Sequence, residues 1–154
     1  MTNLRLSIVT TPAQMNDALS VRRAVFIDEQ GVSEEEEIDE YDGDPAETTG
    51  VVHVVAYCRD VAAATGRLMV HAPLGQHVHI GRVAVLREYR GQGLGRVVML
   101  ALHNEANTRG YAGVALGAQL HAIPFYERLG YIVRGEVYLD AGIEHRWMDM
   151  SFGS

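Results

Sequence analysis

The chain has 154 residues, 47% of them hydrophobic, and a formal net charge of −7. This length and composition predict one globular domain with a substantial core. All 13 basic residues are arginines, and an acidic chain of this kind argues against nucleic acid as the main partner. No apolar run is long enough to cross a membrane, the N-terminus does not resemble a secretion signal, and the single cysteine excludes an intrachain disulfide. We therefore expect a soluble cytoplasmic protein.

The sequence of the first third of the chain predicts a strand followed by two helices. The strand is "LRLSIV", and Thr11 before Pro12 is typical of a helix start. That helix is predicted to continue through "AQMNDALSVRRAVFIDEQ" to Gly31. Ser33 and Glu36 have the spacing of a capping box that opens a short acidic helix, "EEEEIDE". This acidic run has two interpretations, a solvated helix face or one wall of a substrate cleft.

The remainder alternates strands with two further helices. "VVHVVAYC" and "VAAATGRLMV" predict a hairpin that turns at Arg59 and Asp60, and "HVHIGRVAVL" predicts the next strand. A glycine loop, a long helix to about Arg109, the strand "AGVALGA" and a short helix in "HAIPFYERLG" follow. "YIVRGEVYL" and "IEHRWMDM" predict a final hairpin. The order β-α-α-β-β-β-α-β-α-β-β predicts an α/β fold with a mixed sheet and helices on its faces.

The loop "EYRGQGLGR" places glycines at alternate positions between a predicted strand and a predicted helix. A P-loop is excluded because the chain contains no lysine, and a dinucleotide fingerprint needs its third glycine one residue later. What remains is a backbone cradle at a helix N-terminus, which suits a diphosphate. Arg90 and Arg96 stand at the edges of this loop and can add positive charge.

Four segments of the chain together resemble one family. Arg90-x-x-Gly93-x-Gly95 resembles the signature of the GCN5-related N-acetyltransferases, the GNAT family, and "AIPFYERLGY" is similar to a second motif of that family. "RRAVFIDEQGVSEEEEIDEYD" and "LDAGIEHRWM" resemble its ElaA and YjcF-like branch. The resemblance implies that residues 1–154 are a single acetyltransferase domain. It also implies a twisted mixed sheet of about seven strands, splayed between the fourth and fifth strands, with helices on both faces.

The resemblance implies acetyl-CoA as co-substrate and no metal. In the family, loop amides bind the diphosphate, and the backbone of the fourth strand binds the pantetheine arm. Carried over to this sequence, the cofactor-binding residues are Val83, Ala84, Val85, Arg90, Gly91, Gln92, Gly93, Leu94, Gly95 and Arg96.

Two side chains are the catalytic candidates. Tyr126 matches the tyrosine of the family motif, and its phenol can protonate the departing thiolate. His145 resembles the catalytic histidine of glyphosate N-acetyltransferase and is the candidate base. An ordered water held by backbone carbonyls stays open as the alternative base.

For the acceptor, Arg82, Gln119 and Arg22 are the candidate substrate-binding residues. Arg82 resembles a substrate-binding arginine of that same enzyme, while Gln119 stands where it has a further arginine. The predicted activity is acetyl transfer to the amine of a small molecule, without nucleic acid or membrane as partner. A non-catalytic CoA-binding module and a protein N-acetyltransferase are the alternatives, and the resemblance makes a homodimer plausible.

Overall fold

The computed structural model describes residues 3–153. Within this range seven strands form one sheet: β1 (Leu4–Ile8), β2 (Val51–Cys58), β3 (Val61–Met69), β4 (His77–Val85), β5 (Gly113–Gln119), β6 (Ile132–Asp140) and β7 (Ile143–Ser151). The α-helices of the same range are α1 (Pro12–Arg22), α2 (Glu34–Glu37), α3 (Leu94–Thr108) and α4 (Ile123–Arg128). The spatial order is β1-β2-β3-β4-β5-β7-β6, so the predicted mixed α/β sheet is confirmed. The described helices are too short or too polar to span a bilayer.

The first helix begins where the sequence predicts. Thr11 caps it and Gln14 completes a capping box, while Pro12 occupies the first turn. The single long α-helix expected up to Gly31 is only partly correct, because Arg23–Glu29 is π-helical. The backbone N–H of Gln30 donates to the carbonyl of Val25 at 3.1 Å, five residues back. π-Helical turns inside a helix frequently mark functional sites.

The β2–β3 hairpin follows its sequence signal. Arg59 and Asp60 have φ values of 49° and 67°, the left-handed conformation that a type I′ hairpin turn needs at both central positions. The register then pairs Val54 with Gly66 and Cys58 with Val61. Cys58 is buried, as its strand position predicts.

The sheet is covered on both faces by helices. Helix α3 lies on one face, where it packs Val98, Met99 and Leu102 into the largest apolar cluster. On the other face α1 contributes Met15, Leu19 and Val21 to two smaller clusters. We call these the α3 face and the α1 face.

Strands β4 and β5 pair only at their beginning. The parallel ladder joins His77–His79 to Gly113–Ala115 and then stops, so the two strands diverge beyond it. A register shift on the other side of β4, opposite Thr65–Arg67, coincides with Arg82, whose φ is +53°. A bulge of this kind bends a strand and increases its twist. The predicted splay between the fourth and fifth strands is therefore confirmed.

Candidate active site

A cleft of about 1010 Å³ opens where β4 and β5 separate. One side is lined by the end of β4, the glycine loop and the π-helical segment, and the other by β5, β7 and α4. The hairpin end of β6 and β7 completes the lining of the cleft with Tyr138 and Ile143.

The three loop glycines are needed for different reasons. Gly91 and Gly93 have φ values of 79° and 83°, and a Cβ on either would meet nothing within 4 Å. Both therefore give the backbone a left-handed conformation and leave its approach open. Gly95 has an ordinary φ, but a Cβ there would lie 3.2 Å from the Phe125 ring. The third glycine thus allows α3 to pack closely against α4.

The loop ends as the N-terminus of α3. Gly93 is the N-cap and provides no side-chain hydrogen bond, so the first-turn N–H groups are not capped by a side chain. Such groups and the helix dipole favour an anion. Leu94 and Gly95 line the cleft with exposed Arg96, whereas Gln92 is exposed and does not line it. These residues fit a diphosphate held by backbone.

The free edge of β4 also fits an extended ligand. Leu86 donates its backbone N–H to Ala63 of β3 at 2.8 Å, so alternate residues of β4 face β3. By this alternation Ala84 faces β3, whereas Val83 and Val85 turn their backbone groups to the open edge. The carbonyl of Val85 already accepts a hydrogen bond from Arg90 Nε at 3.0 Å.

Arg90 is oriented by the π-helical segment. Its two terminal nitrogens donate to the Glu29 carboxylate at 2.7 and 2.8 Å. The hydrogen bond from Arg90 is the main cause that lowers the pKa of Glu29 to about 2. The charge of Arg90 is therefore already compensated, and its side chain anchors the start of the loop, which differs from the free charge expected from sequence.

Tyr126 reaches the cleft from the α3 face. It lies on α4, is only 9% exposed and packs edge-on against Phe125 and Tyr131. Burial alone raises the pKa of its phenol to about 12. The hydroxyl is therefore protonated at neutral pH and can serve as a proton donor.

His145 reaches the cleft from the α1 face. It lies on β7 opposite Gln119 of β5 and is 8% exposed. Its Nδ1 is 2.7 Å from the carbonyl of Ile143, which requires the proton on Nδ1. In the neutral ring, Nε2 then carries the lone pair and can accept a proton.

Tyr138 is a cleft residue that the sequence analysis missed. Its ring stacks on His145 with centroids 5.7 Å apart, and a Cβ built on Gly117 would overlap its hydroxyl. The Tyr138 hydroxyl thus fills the space that a side chain at position 117 would occupy. The sequence signal was the glycine in β5, but its partner lies 21 residues away on a strand whose register shifts between Arg134 and Tyr138.

A buried charge network on the α1 face joins α1 and β3 to residues 37–42. The Arg22 guanidinium is 2.9 Å from Glu37 Oε2 and 2.6 Å from Asp42 Oδ1, and Arg67 joins Asp42 to Asp39. Arg22 is 1% exposed and does not line the cleft. The predicted contact between Arg22 and the acceptor is therefore wrong, because all of its charge is used inside the protein.

Arg82 lines the cleft but is also paired. Its Nε lies 3.2 Å from the Glu37 carboxylate and donates to the Glu37 carbonyl at 3.1 Å. Burial lowers the pKa of Arg82. Burial also raises the pKa of the Glu37 carboxyl, although the neighbouring arginines act in the opposite direction. In α2, Glu36 and Glu37 line the cleft, whereas Glu34 and Glu35 are exposed. The first half of this helix is therefore a solvated face, and the second half is part of the cleft wall.

Gln119 lies at the end of β5 and lines the cleft. Its amide is joined to that of Gln30 by two hydrogen bonds, of 2.9 and 3.2 Å. Each amide keeps one N–H for a ligand. Gln119 thus lines the cleft together with a partner 89 residues away that the sequence does not indicate, and its contact with a substrate stays a prediction.

Comparisons with known proteins agree with this geometry. Residues 46–152 match the model of the acetyltransferase (GNAT) domain. The chain is 36% identical over 146 residues to the uncharacterized N-acetyltransferase YjcF of Bacillus subtilis (strain 168), covering 94% of this chain and 98% of YjcF. The crystal structure of Escherichia coli ElaA superposes with a TM-score of 0.79 at 29% identity, covering 98% of this chain and 100% of ElaA. An acyl-CoA N-acyltransferase from Pseudomonas aeruginosa gives a TM-score of 0.77 at 30% identity, with 97% and 100% covered. This chain belongs to the GNAT family of acetyltransferases.

Proposed function

We propose that the protein transfers the acetyl group of acetyl-CoA to the amine of a small molecule. The observation that carries this proposal is the pair Tyr126 and His145. They enter one cleft from opposite faces of the sheet, the first with a protonated hydroxyl and the second with a proton-accepting Nε2. An acyl transfer to an amine needs a proton acceptor and a proton donor at separate atoms.

Acetyl-CoA would supply the activated acetyl thioester. The backbone N–H groups from Gly91 to Arg96 would hold its diphosphate, since the loop is open and the α3 N-terminus has no side-chain cap. The open edge at Val83 and Val85 would hold the pantetheine arm.

Proton transfer would use two atoms of the chain. Nε2 of His145 would take the proton that the attacking amine loses, while the Ile143 carbonyl keeps the imidazole in the correct tautomer. The Tyr126 hydroxyl would donate its proton to the thiolate that leaves. Tyr138 would support the imidazole by stacking on it.

The charge of the acceptor side favours an amine without an anionic group. Arg82 is the candidate arginine for binding an anionic group of the acceptor. Its guanidinium pairs with the Glu37 carboxylate and lies 3.6 Å from the Asp39 carboxylate. An acceptor carboxylate would have to displace these pairs. Amines that carry no carboxylate should therefore be better substrates than their amino-acid counterparts.

The test is release of free thiol from acetyl-CoA with a panel of diamines, aromatic amines, amino sugars, amino acids and short peptides. Turnover of small amines, with decarboxylated compounds preferred over amino acids, is the expected result. Binding of acetyl-CoA without turnover would favour a non-catalytic CoA-binding module. Turnover of peptides alone would favour a protein N-acetyltransferase.

A further inference from the structure

Two consecutive residues at the end of the π-helical segment reach opposite sides of the cleft. The Glu29 carboxylate binds Arg90 bidentately and also lies 3.4 Å from Arg87 Nη2, all on the β4 side. The next residue, Gln30, exchanges two hydrogen bonds with Gln119 on the β5 side. Successive residues of a helix point in different directions, which lets one chain segment contact both diverging strands.

The Glu29 contact acts on the diphosphate loop. Arg90 directly precedes Gly91, and its Nε donates to the Val85 carbonyl while Glu29 takes both terminal nitrogens. Three of the five guanidinium N–H donors are thereby directed at the end of β4 and at the π-helical segment. A bidentate pair of this kind fixes orientation as well as distance. The start of the loop is therefore held by Glu29 rather than by the loop itself.

The Gln30 contact acts on the opposite side. Gln119 is the last residue of β5 and stands directly across the ladder from His145. A glutamine side chain has several rotamers, and the reciprocal amide pair with Gln30 selects one of them. The remaining N–H of the Gln119 amide then has a defined direction next to the candidate base.

We propose that Glu29 and Gln30 are positioning residues that serve different substrates. Glu29 acts through Arg90 on the loop that binds acetyl-CoA, and Gln30 acts through Gln119 on the acceptor. This inference rests on the proposed function, because it takes the glycine loop as the donor site and the Gln119 side as the acceptor site. Two adjacent residues of one segment then have separable effects, one on the binding of acetyl-CoA and the other on the binding of the acceptor.

The test compares Glu29→Gln with Gln30→Ala. Loss of a charge-assisted bidentate pair should raise the Kd of acetyl-CoA about tenfold in Glu29→Gln, measured by calorimetry without any acceptor. Gln30→Ala should leave this Kd within about twofold and raise the KM of the fastest amine of the panel about tenfold. Asp28→Asn removes the same charge as Glu29→Gln from an exposed neighbour and should change neither quantity.

A merely structural segment would behave differently. Both variants would then lower the thermal midpoint and shift Kd and KM together, and that result would overturn the proposal. An unchanged acetyl-CoA Kd in folded Glu29→Gln would overturn its donor half. If the wild type binds acetyl-CoA but acetylates no amine, the proposed function fails together with the Gln30 half, while calorimetry still decides the role of Glu29.

Discussion

On the α3 face of the sheet the buried side chains are almost all apolar, whereas the α1 face buries arginines and carboxylates. The α3 face joins β2, β3 and β5 to α3 through Val, Leu and Met side chains. The α1 face joins α1 to the strands through Arg22, Arg67, Glu37 and Asp42 beside its smaller apolar clusters. The first face supports the glycine loop and Tyr126, and the second supports residues 33–42 beside the cleft.

This difference gives the two faces of the sheet a different tolerance to substitution. Apolar packing is tolerant of replacement by side chains of similar volume. A buried ion network fixes one arrangement, because every charge that loses its partner is costly. Residues 33–42, of which Glu36 and Glu37 line the cleft, are therefore held mainly by charges from α1, β3 and β4.

The largest effect is expected from breaking the network at its centre. Arg22→Leu keeps helix propensity but leaves Glu37 and Asp42 buried without their main partner, which should cost about 3–5 kcal/mol of unfolding free energy. Arg23→Leu is the matched control, because its pair with Glu34 is exposed and should contribute less than about 1 kcal/mol. Urea denaturation measures both, and equal small losses would contradict the role of the network.

The next effect concerns His103, a buried histidine of α3. His103 lies 2.6 Å from the Tyr131 hydroxyl, and burial lowers its pKa to about 4. Above about pH 6.5 the ring is neutral in both states and has no effect. Between about pH 6.5 and 4 the unfolded chain takes up a proton that the folded chain does not, so the unfolding free energy falls by about 3 kcal/mol.

His103→Gln cannot titrate and provides the comparison. The wild type should lose about 3 kcal/mol more than this variant on acidification across that window. Carboxylates and the other histidines titrate in both proteins, so their contribution cancels in the difference. Parallel stability curves would show that His103 is not held neutral by the α3 face.

A smaller effect should distinguish the glycine loop from another glycine with the same backbone conformation. Gly93 and Gly75 have nearly the same φ, 83° and 85°, and neither has atoms near an added Cβ. Alanine at either position should cost about 1–2 kcal/mol of stability through the left-handed backbone. Only Gly93→Ala should also weaken acetyl-CoA binding, by about tenfold or more, as measured by calorimetry. Equal affinities in the two variants would remove the loop from the diphosphate site.

The smallest effect tests the contact on the α1 face between Gly117 of β5 and Tyr138 of β6, which crosses β7. Gly117→Ala should cost about 1 kcal/mol because its Cβ overlaps the hydroxyl of Tyr138, a half-exposed side chain that can move. Tyr138→Phe removes that hydroxyl, so the double variant should regain most of the loss. A double-mutant cycle by denaturation measures the coupling, and strict additivity would mean that the two residues do not meet.

Sequence alone predicted what depends on local backbone chemistry. Glycines between a strand and a helix, Pro12 after Thr11 and the Arg59–Asp60 turn each act within a few residues, and all three features lie where expected. Resemblance to the family also pointed to Tyr126 and His145, and both residues line one cleft.

What sequence missed depends on contacts between distant residues. The Gln30–Gln119 pair and the Tyr138–Gly117 contact join elements whose register no local pattern determines. Arg22 was misassigned because a charged residue is expected at the surface, whereas here it is satisfied by Glu37 and Asp42. The left-handed Arg82 at the bulge carries no local signal, since it is not glycine.

The most direct test of the account is the pH dependence of kcat/KM for the best amine in the wild type and in His145→Ala. A general base acts only in its deprotonated form, so the wild-type value should rise with pH. His145→Ala should be slower by roughly 10²–10⁴-fold and should lack the rise, whereas Tyr126→Phe should be slower but retain it. A His145→Ala profile with the wild-type shape would contradict the account and point to an ordered water as the base.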